Sequence, residues 1–167
     1  TLLILNSDHA MAWQTSERIP LIMKFPFSEH LGRRNWNTQR LDIAPTILDY
    51  LGITVPEWME GQSLISRAFD NTRPIISSHA ITIVGPNKAG WWVIDDAATQ
   101  PPFYNLGKIS IVRCNRWYSL NLKDGLISEK EISNHTNPCD KMDIPTKEEE
   151  KAYLIKHLAD KGYDVSS

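Results

Sequence analysis

The chain has 167 residues, 41% of them hydrophobic and 23% charged, with a formal net charge of -2. That length suits one domain with a sizeable core, and the composition is that of a folded chain. The slightly acidic balance excludes a general nucleic-acid binder, and no apolar run approaches the ~20 residues of a membrane span.

The chain opens without Met, directly on the apolar run Thr1-Leu2-Leu3-Ile4-Leu5. A domain seldom begins inside a strand, so the sequence reads as a piece of a longer protein. Residues 2–5 read as a buried, parallel-type strand whose carboxyl end carries Asn6, Ser7 and Asp8. Residues 19–25 read as a second strand, and 28–40 as a polar, basic, exposed loop. Over 41–52, apolar residues at 41, 44, 47, 48 and 51 follow a helical period. Asp42 can cap this helix, Pro45 fits its first turn and Gly52 ends it. The period predicts packing through Ala44, Ile47, Leu48 and Leu51.

Residues 53–61 read as a turn and 62–69 as a short helix or irregular segment. Strands are predicted at 74–84 and 91–94, a loop at 97–107, and strands at 109–114, 117–122 and about 126–132. Lys123-Asp124-Gly125 is the hairpin turn between the last two. A helix at about 147–161 starts on a Thr146/Glu149 capping box, carries an apolar stripe of Leu154, Ile155 and Leu158, and closes at Gly162. The layout is an α/β unit over 1–72 followed by a small antiparallel α+β unit over 73–167.

Cys114 and Cys139 lie in no metal-binding spacing and read as free structural thiols; a disulfide between them would need an oxidising compartment. The sequon Asn134-His135-Thr136 carries no weight by itself. The strongest chemical signal is Ser7-Asp8-His9 after the first strand. Ligand sites in open α/β sheets lie beyond the carboxyl ends of strands, where a carboxylate and an imidazole can reach one divalent cation. Lys24, His30, Arg33 and Arg34 are candidates for binding a substrate anion, because arginine forks match phosphate and sulfate. Arg40 adds to the basic character of the loop. His79 reads as a surface or core histidine, Asp95-Asp96 as a hairpin acid pair, and 148–150 as helix N-terminal charges. The six tryptophans read as packing anchors.

Four blocks in order carry a resemblance: Leu3-Ile-Leu-Asn-Ser-Asp-His9, Glu17-Arg-Ile-Pro-Leu-Ile22, Leu41-Asp-Ile-Ala-Pro-Thr-Ile-Leu-Asp-Tyr-Leu-Gly-Ile53 and Met59-Glu-Gly-Gln-Ser-Leu64. They resemble the C-terminal half of sulfatases and, more broadly, the alkaline phosphatase superfamily. Tyr118 to Asp124, with Glu131 and Asn134, is similar to that family's last hairpin. The resemblance implies the C-terminal portion of an alkaline-phosphatase-like α/β sheet, then a small antiparallel sheet with a C-terminal helix. It implies Asp8 and His9 as ligands of a divalent metal (Zn, Mn, Mg or Ca). The implied substrate is a sulfate, phosphate or phosphonate ester, on a small molecule or a glycan.

The sequence also departs from the family. Its nucleophile belongs to a Cys/Ser-x-Pro-x-Arg motif, or is a Thr or Ser, in an N-terminal half, and neither Cys114 nor Cys139 stands in that motif. The resemblance therefore implies no catalytic nucleophile in this chain, a missing N-terminal half as its partner, and no activity alone. Ala10 stands where Gly is usual, and the loop over 10–16 has no Lys or His. Both departures fit the alternative, a degenerate, non-catalytic sulfatase-fold module used for binding or assembly.

Overall fold

The computed structural model describes residues 1–10, 14–80, 83–86, 92–94, 106–132, 139 and 144–165. The chain is mixed α/β, and the strand pairs among the described residues are antiparallel. β1 (Leu3–Asn6) pairs with β2 (Leu21–Lys24), with Asn6 opposite Leu21 and Leu3 opposite Lys24. After α1 (Ile43–Tyr50) come β3 (Ile75–Ala80), β4 (Ile83–Pro86) and β5 (Trp92–Ile94). β6 (Leu106–Arg113), β7 (Arg116–Asn121), β8 (Ile127–Glu131) and α2 (Lys147–Asp160) follow. The main sheet has the order β3-β6-β7-β8, and β4 pairs with β5.

The first strand differs from its expected character. It was expected to be buried and parallel, but it forms a two-stranded antiparallel ribbon, with Leu3 and Leu5 each about half exposed. A parallel partner needs a crossover connection; within the described residues the returning strand is β2, and it comes back antiparallel.

The core lies between α2 and one face of the main sheet. Strand alternation puts Ile109 and Ile111 on that face, and the register sets Leu120 and Tyr118 opposite them. Leu154 and Leu158 of α2 close the cluster, and Ile155 packs at its margin. The Thr146/Glu149 capping box opens α2. Its end is a left-handed cap: Gly162 has φ +88°, and Tyr163 N–H donates to the Leu158 carbonyl at 3.0 Å. Glu150 is an exception within the first-turn acids. It is fully buried and pairs with the Arg113 guanidinium at 2.5 Å.

α1 buries a different kind of surface. Asp42, Pro45 and Thr46 are buried, whereas Leu41, Ala44 and Leu51 are exposed and Ile47 and Leu48 are half-buried. The expected packing through Ala44, Ile47, Leu48 and Leu51 is thus only partial: Ala44 and Leu51 face outward, and Ile47 and Leu48 are half-buried. The reason is the 60s segment, which lies across the polar side. Leu64 N–H donates to Thr46 Oγ1 at 2.9 Å, Gln62 N–H to Asp42 Oδ1 at 2.9 Å, and Ser63 Oγ to Asp49 Oδ2 at 2.5 Å. Gly61 permits this approach, since a Cβ there would sit 1.9 Å from the Leu41 carbonyl oxygen. Asp42 does not cap α1 with its side chain; it closes the 3-10 turn at 40–42, accepting from Gln39 N–H at 2.8 Å. Gly52 ends α1 as expected, with φ +69°.

Cys114 and Cys139 form a disulfide, with Cα atoms 5.4 Å apart, correcting the reading of two free thiols. Spacing cannot reveal such a pairing; Cys114 stands in the turn between β6 and β7. The 62–69 segment is irregular, and the sequon, Asp95-Asp96 and most of the 97–107 loop lie outside the described residues.

Candidate active site

Asp8 and His9 follow β1 by two and three residues. The turn is held locally: Ser7 Oγ donates to the His9 carbonyl at 2.6 Å, and His9 N–H donates to Asp8 Oδ1 at 3.0 Å. His9 Nδ1 lies 2.8 Å from the Ala10 carbonyl, which can only accept, so Nδ1 carries the proton. Nε2 faces Asp8 Oδ2 at 3.6 Å. Two ligands of one tetrahedral ion with arms of ~2.0–2.2 Å lie about 3.4 Å apart, so the pair fits a shared cation to within a few tenths of an ångström. Among the described residues no group of three or more His, Cys, Asp or Glu could hold a metal ion.

The pair opens on a cavity of about 420 Å³. Gln14 to Leu21 supply one wall and Trp36 to Arg40 another. Ile75, Ser77, His79 and Val112, from the main sheet face remote from α2, line it as well. On that face Ser77, Ser110, Ser119 and Ser128 form one cross-strand row. Thr15 lies against the row: its hydroxyl donates to Ser110 Oγ at 3.2 Å and accepts from Trp117 Nε1 at 3.0 Å. Lys130 Nζ meets Glu17 at 2.8 Å on the same side.

Asp42 ties two of these walls together. It is fully buried, holds Gln39 of the 36–40 wall, and pairs with Arg73 Nη2 at 2.5 Å just before β3. Arg73 in turn lies over Phe69, Phe69 stacks on Trp36 at 4.5 Å, and Arg34 covers the ring of Trp36 at 4.7 Å. Phe69 and Arg34 both pack on the Trp36 ring.

The structure brings Asp8 and His9 together and leaves the four anion candidates outside their cavity. Lys24 sits at the far end of β2, opposite Leu3. His30 packs its ring on Phe25 and Tyr50, at 4.9 and 6.3 Å. Arg34 stacks on Trp36, and Arg33 lines a separate groove with Ser16 and Lys130. The cationic groups that do line the cavity with His9 are Arg18, Arg40 and His79. Nothing in local sequence marked His79, because the main sheet meets the 14–18 segment only in three dimensions.

Residues 6–76 match the family model for the C-terminal region of N-sulphoglucosamine sulphohydrolase, a sulfatase. No curated protein matches the chain. The match begins at the end of β1, takes in Asp8, His9 and all of α1, and stops at the first residues of β3. Over that stretch the chain is similar to the C-terminal region of that sulfatase.

Proposed function

We propose that this chain is part of a metal-dependent, sulfatase-like hydrolase acting on sulfate or phosphate esters, with Asp8 and His9 as two of the metal's ligands. The observation that carries the reading is the Asp8–His9 pair at 3.6 Å, opening on a cavity inside the family-matched stretch. A bound divalent cation supplies Lewis-acid polarisation of the ester oxygen. The chain's own residues do the rest. The Ala10 carbonyl fixes the His9 tautomer so that Nε2 faces Asp8, which is how an outer hydrogen bond orients a ligand. The nucleophile comes from a half of the protein that is not in this chain. The half-exposed Leu3, Leu5 and Ile22 on one face of the β1–β2 ribbon support a further layer there, since an isolated two-stranded ribbon is marginal.

Calorimetric titration with zinc and calcium tests the metal. Two protein ligands give divalent binding in the roughly micromolar to millimolar range, with zinc or manganese preferred through the imidazole. His9→Ala should weaken zinc binding; tight calcium binding that ignores His9→Ala overturns the assignment. The chain alone should turn over neither aryl sulfate nor aryl phosphate. Turnover abolished by Asp8→Ala would overturn the placement of the nucleophile elsewhere. The alternative, a degenerate binding module, is favoured by Ala10 and the short 10–16 loop; failure of Asp8 and His9 to bind any divalent ion would select it.

A further inference from the structure

We infer that Arg40 and His79 are the residues of this chain that hold the oxyanion of the ligand in the Asp8–His9 cavity. The inference deepens the hydrolase reading of that cavity and rests on it for the ligand's class, a tetrahedral sulfate or phosphate group. Arg40 and His79 both line the cavity, one from the 3-10 turn at 40–42 and the other from β3. Both are exposed, and neither makes an ion pair among the described residues. Three nearby basic side chains are engaged by other groups, Arg73 by Asp42, Arg34 by Trp36, and Lys130 by Glu17, and Arg18 is a further cation on the cavity wall.

The backbone beneath Arg40 and His79 is fixed while their heads stay available. Gln39 N–H and the Arg73 guanidinium both bind Asp42, so one buried carboxylate sets the turn that carries Arg40 and the entry to the strand that carries His79. An arginine fork matches two oxygens of a tetrahedral anion, and a cleft with low-dielectric walls strengthens that attraction. At about 420 Å³ the cavity exceeds a bare sulfate several-fold, leaving room for the group the anion is attached to.

The test is titration of the metal-free chain with sodium sulfate and sodium phosphate at constant ionic strength, followed by amide NMR shifts and calorimetry. Saturable binding is expected, weakened about tenfold by Arg40→Gln, as loss of one charge-assisted contact requires. His79→Gln should also weaken it, and Lys24→Gln and Arg33→Gln should leave it unchanged. Both cavity residues are exposed, so unchanged thermal unfolding of the two variants confirms that the fold is intact. Binding that survives both cavity substitutions, equal shifts with chloride, or no saturation with either anion overturns the inference. Because no metal is present, the result is independent of the zinc titration: the anion site can stand where the metal assignment fails, and the reverse.

Discussion

α1 and α2, the α-helices among the described residues, bury opposite kinds of surface. α2 sets Leu154 and Leu158 into the apolar face of the main sheet, where the apolar period placed them. The 41–52 segment that contains α1 shows an equally regular apolar period yet buries Asp42, Pro45 and Thr46 and leaves Leu41 and Leu51 more than half exposed. The contrast teaches what a period measures. It locates a stripe on a helix, but the interior side is decided by whatever the helix must hold. α2 holds a sheet, so hydrophobic burial decides. α1 holds a backbone segment, 62–64, whose N–H groups need acceptors, so hydrogen-bond satisfaction decides.

The largest expected effect falls on the polar side of that comparison. Asp42→Ala removes the acceptor of two backbone N–H groups and leaves the nearly buried Arg73 guanidinium without its carboxylate. Breaking a buried pair from one side costs about 3–5 kcal/mol. Urea unfolding of the variant measures it. A loss below about 1 kcal/mol would mean that the 40–42 turn and the 60s segment are held by something else.

The next test sets the two helices side by side. Leu154→Ala empties a fully buried position and should cost about 2–5 kcal/mol. Leu51→Ala, on an exposed position of the α1 stripe, should change stability by less than about 0.5 kcal/mol. Leu48, half-buried, belongs between them. Equal losses at Leu154 and Leu51 in the isolated chain would erase the contrast and restore the period as a guide to burial.

What could be read from the sequence follows the same division. Strands β6, β7 and β8, the 123–125 turn, the α2 cap and the end of α1 at Gly52 were legible because each depends on neighbours in sequence, whereas the single strand expected over 74–84 is divided between β3 of the main sheet and β4, which pairs with β5. In the hairpin turn Asn121 and Asp124 accept from backbone N–H groups two residues on, and Gly125 supplies φ +66°. The Cys114–Cys139 pairing, the burial of Glu150 and the cavity wall formed by Ser77 and His79 were not legible, because each joins residues 25 or more positions apart or an element to a distant loop. Of the site, Asp8 and His9 could be named from a strand end. The groups facing them could not, since they lie on a loop and a strand that only the folded chain brings near.

A smaller effect probes one hydrogen bond of α1. Thr46 is fully buried; its hydroxyl donates to the Asp42 carbonyl at 2.6 Å and accepts from Leu64 N–H at 2.9 Å. Thr46→Val keeps the shape and leaves the Leu64 N–H without its acceptor, at a cost of about 1–3 kcal/mol. Thr46→Ser should recover most of it. If valine were neutral by thermal unfolding and serine were not, packing of the methyl would outweigh the bond, and α1 would resemble α2 after all.

The smallest effect lies within α2, where two adjacent glutamates should respond to pH in opposite senses. Burial pushes the Glu150 carboxyl above its ordinary value, against the opposing pull of Arg113. A folded-state pKa above the unfolded one gives stability that is fully present below the ordinary glutamate range and is lost as pH rises through the folded value. Glu149 is exposed and accepts from the Thr146 backbone N–H and hydroxyl, which hold its carboxyl below the ordinary value. Its contribution is present above the ordinary range and is lost as pH falls through the folded value. Stability measured from acid to neutral pH separates them. Glu150→Gln should remove a loss on the rising side, and Glu149→Gln a loss on the falling side. In the first variant the amide oxygen can still accept from Arg113, so the pairing geometry is kept while the charge is removed. A steeper loss at neutral pH in Glu150→Gln than in the parent chain would show that the ion pair, not burial, governs this carboxylate, and that α2 rests on charge as well as on its apolar face.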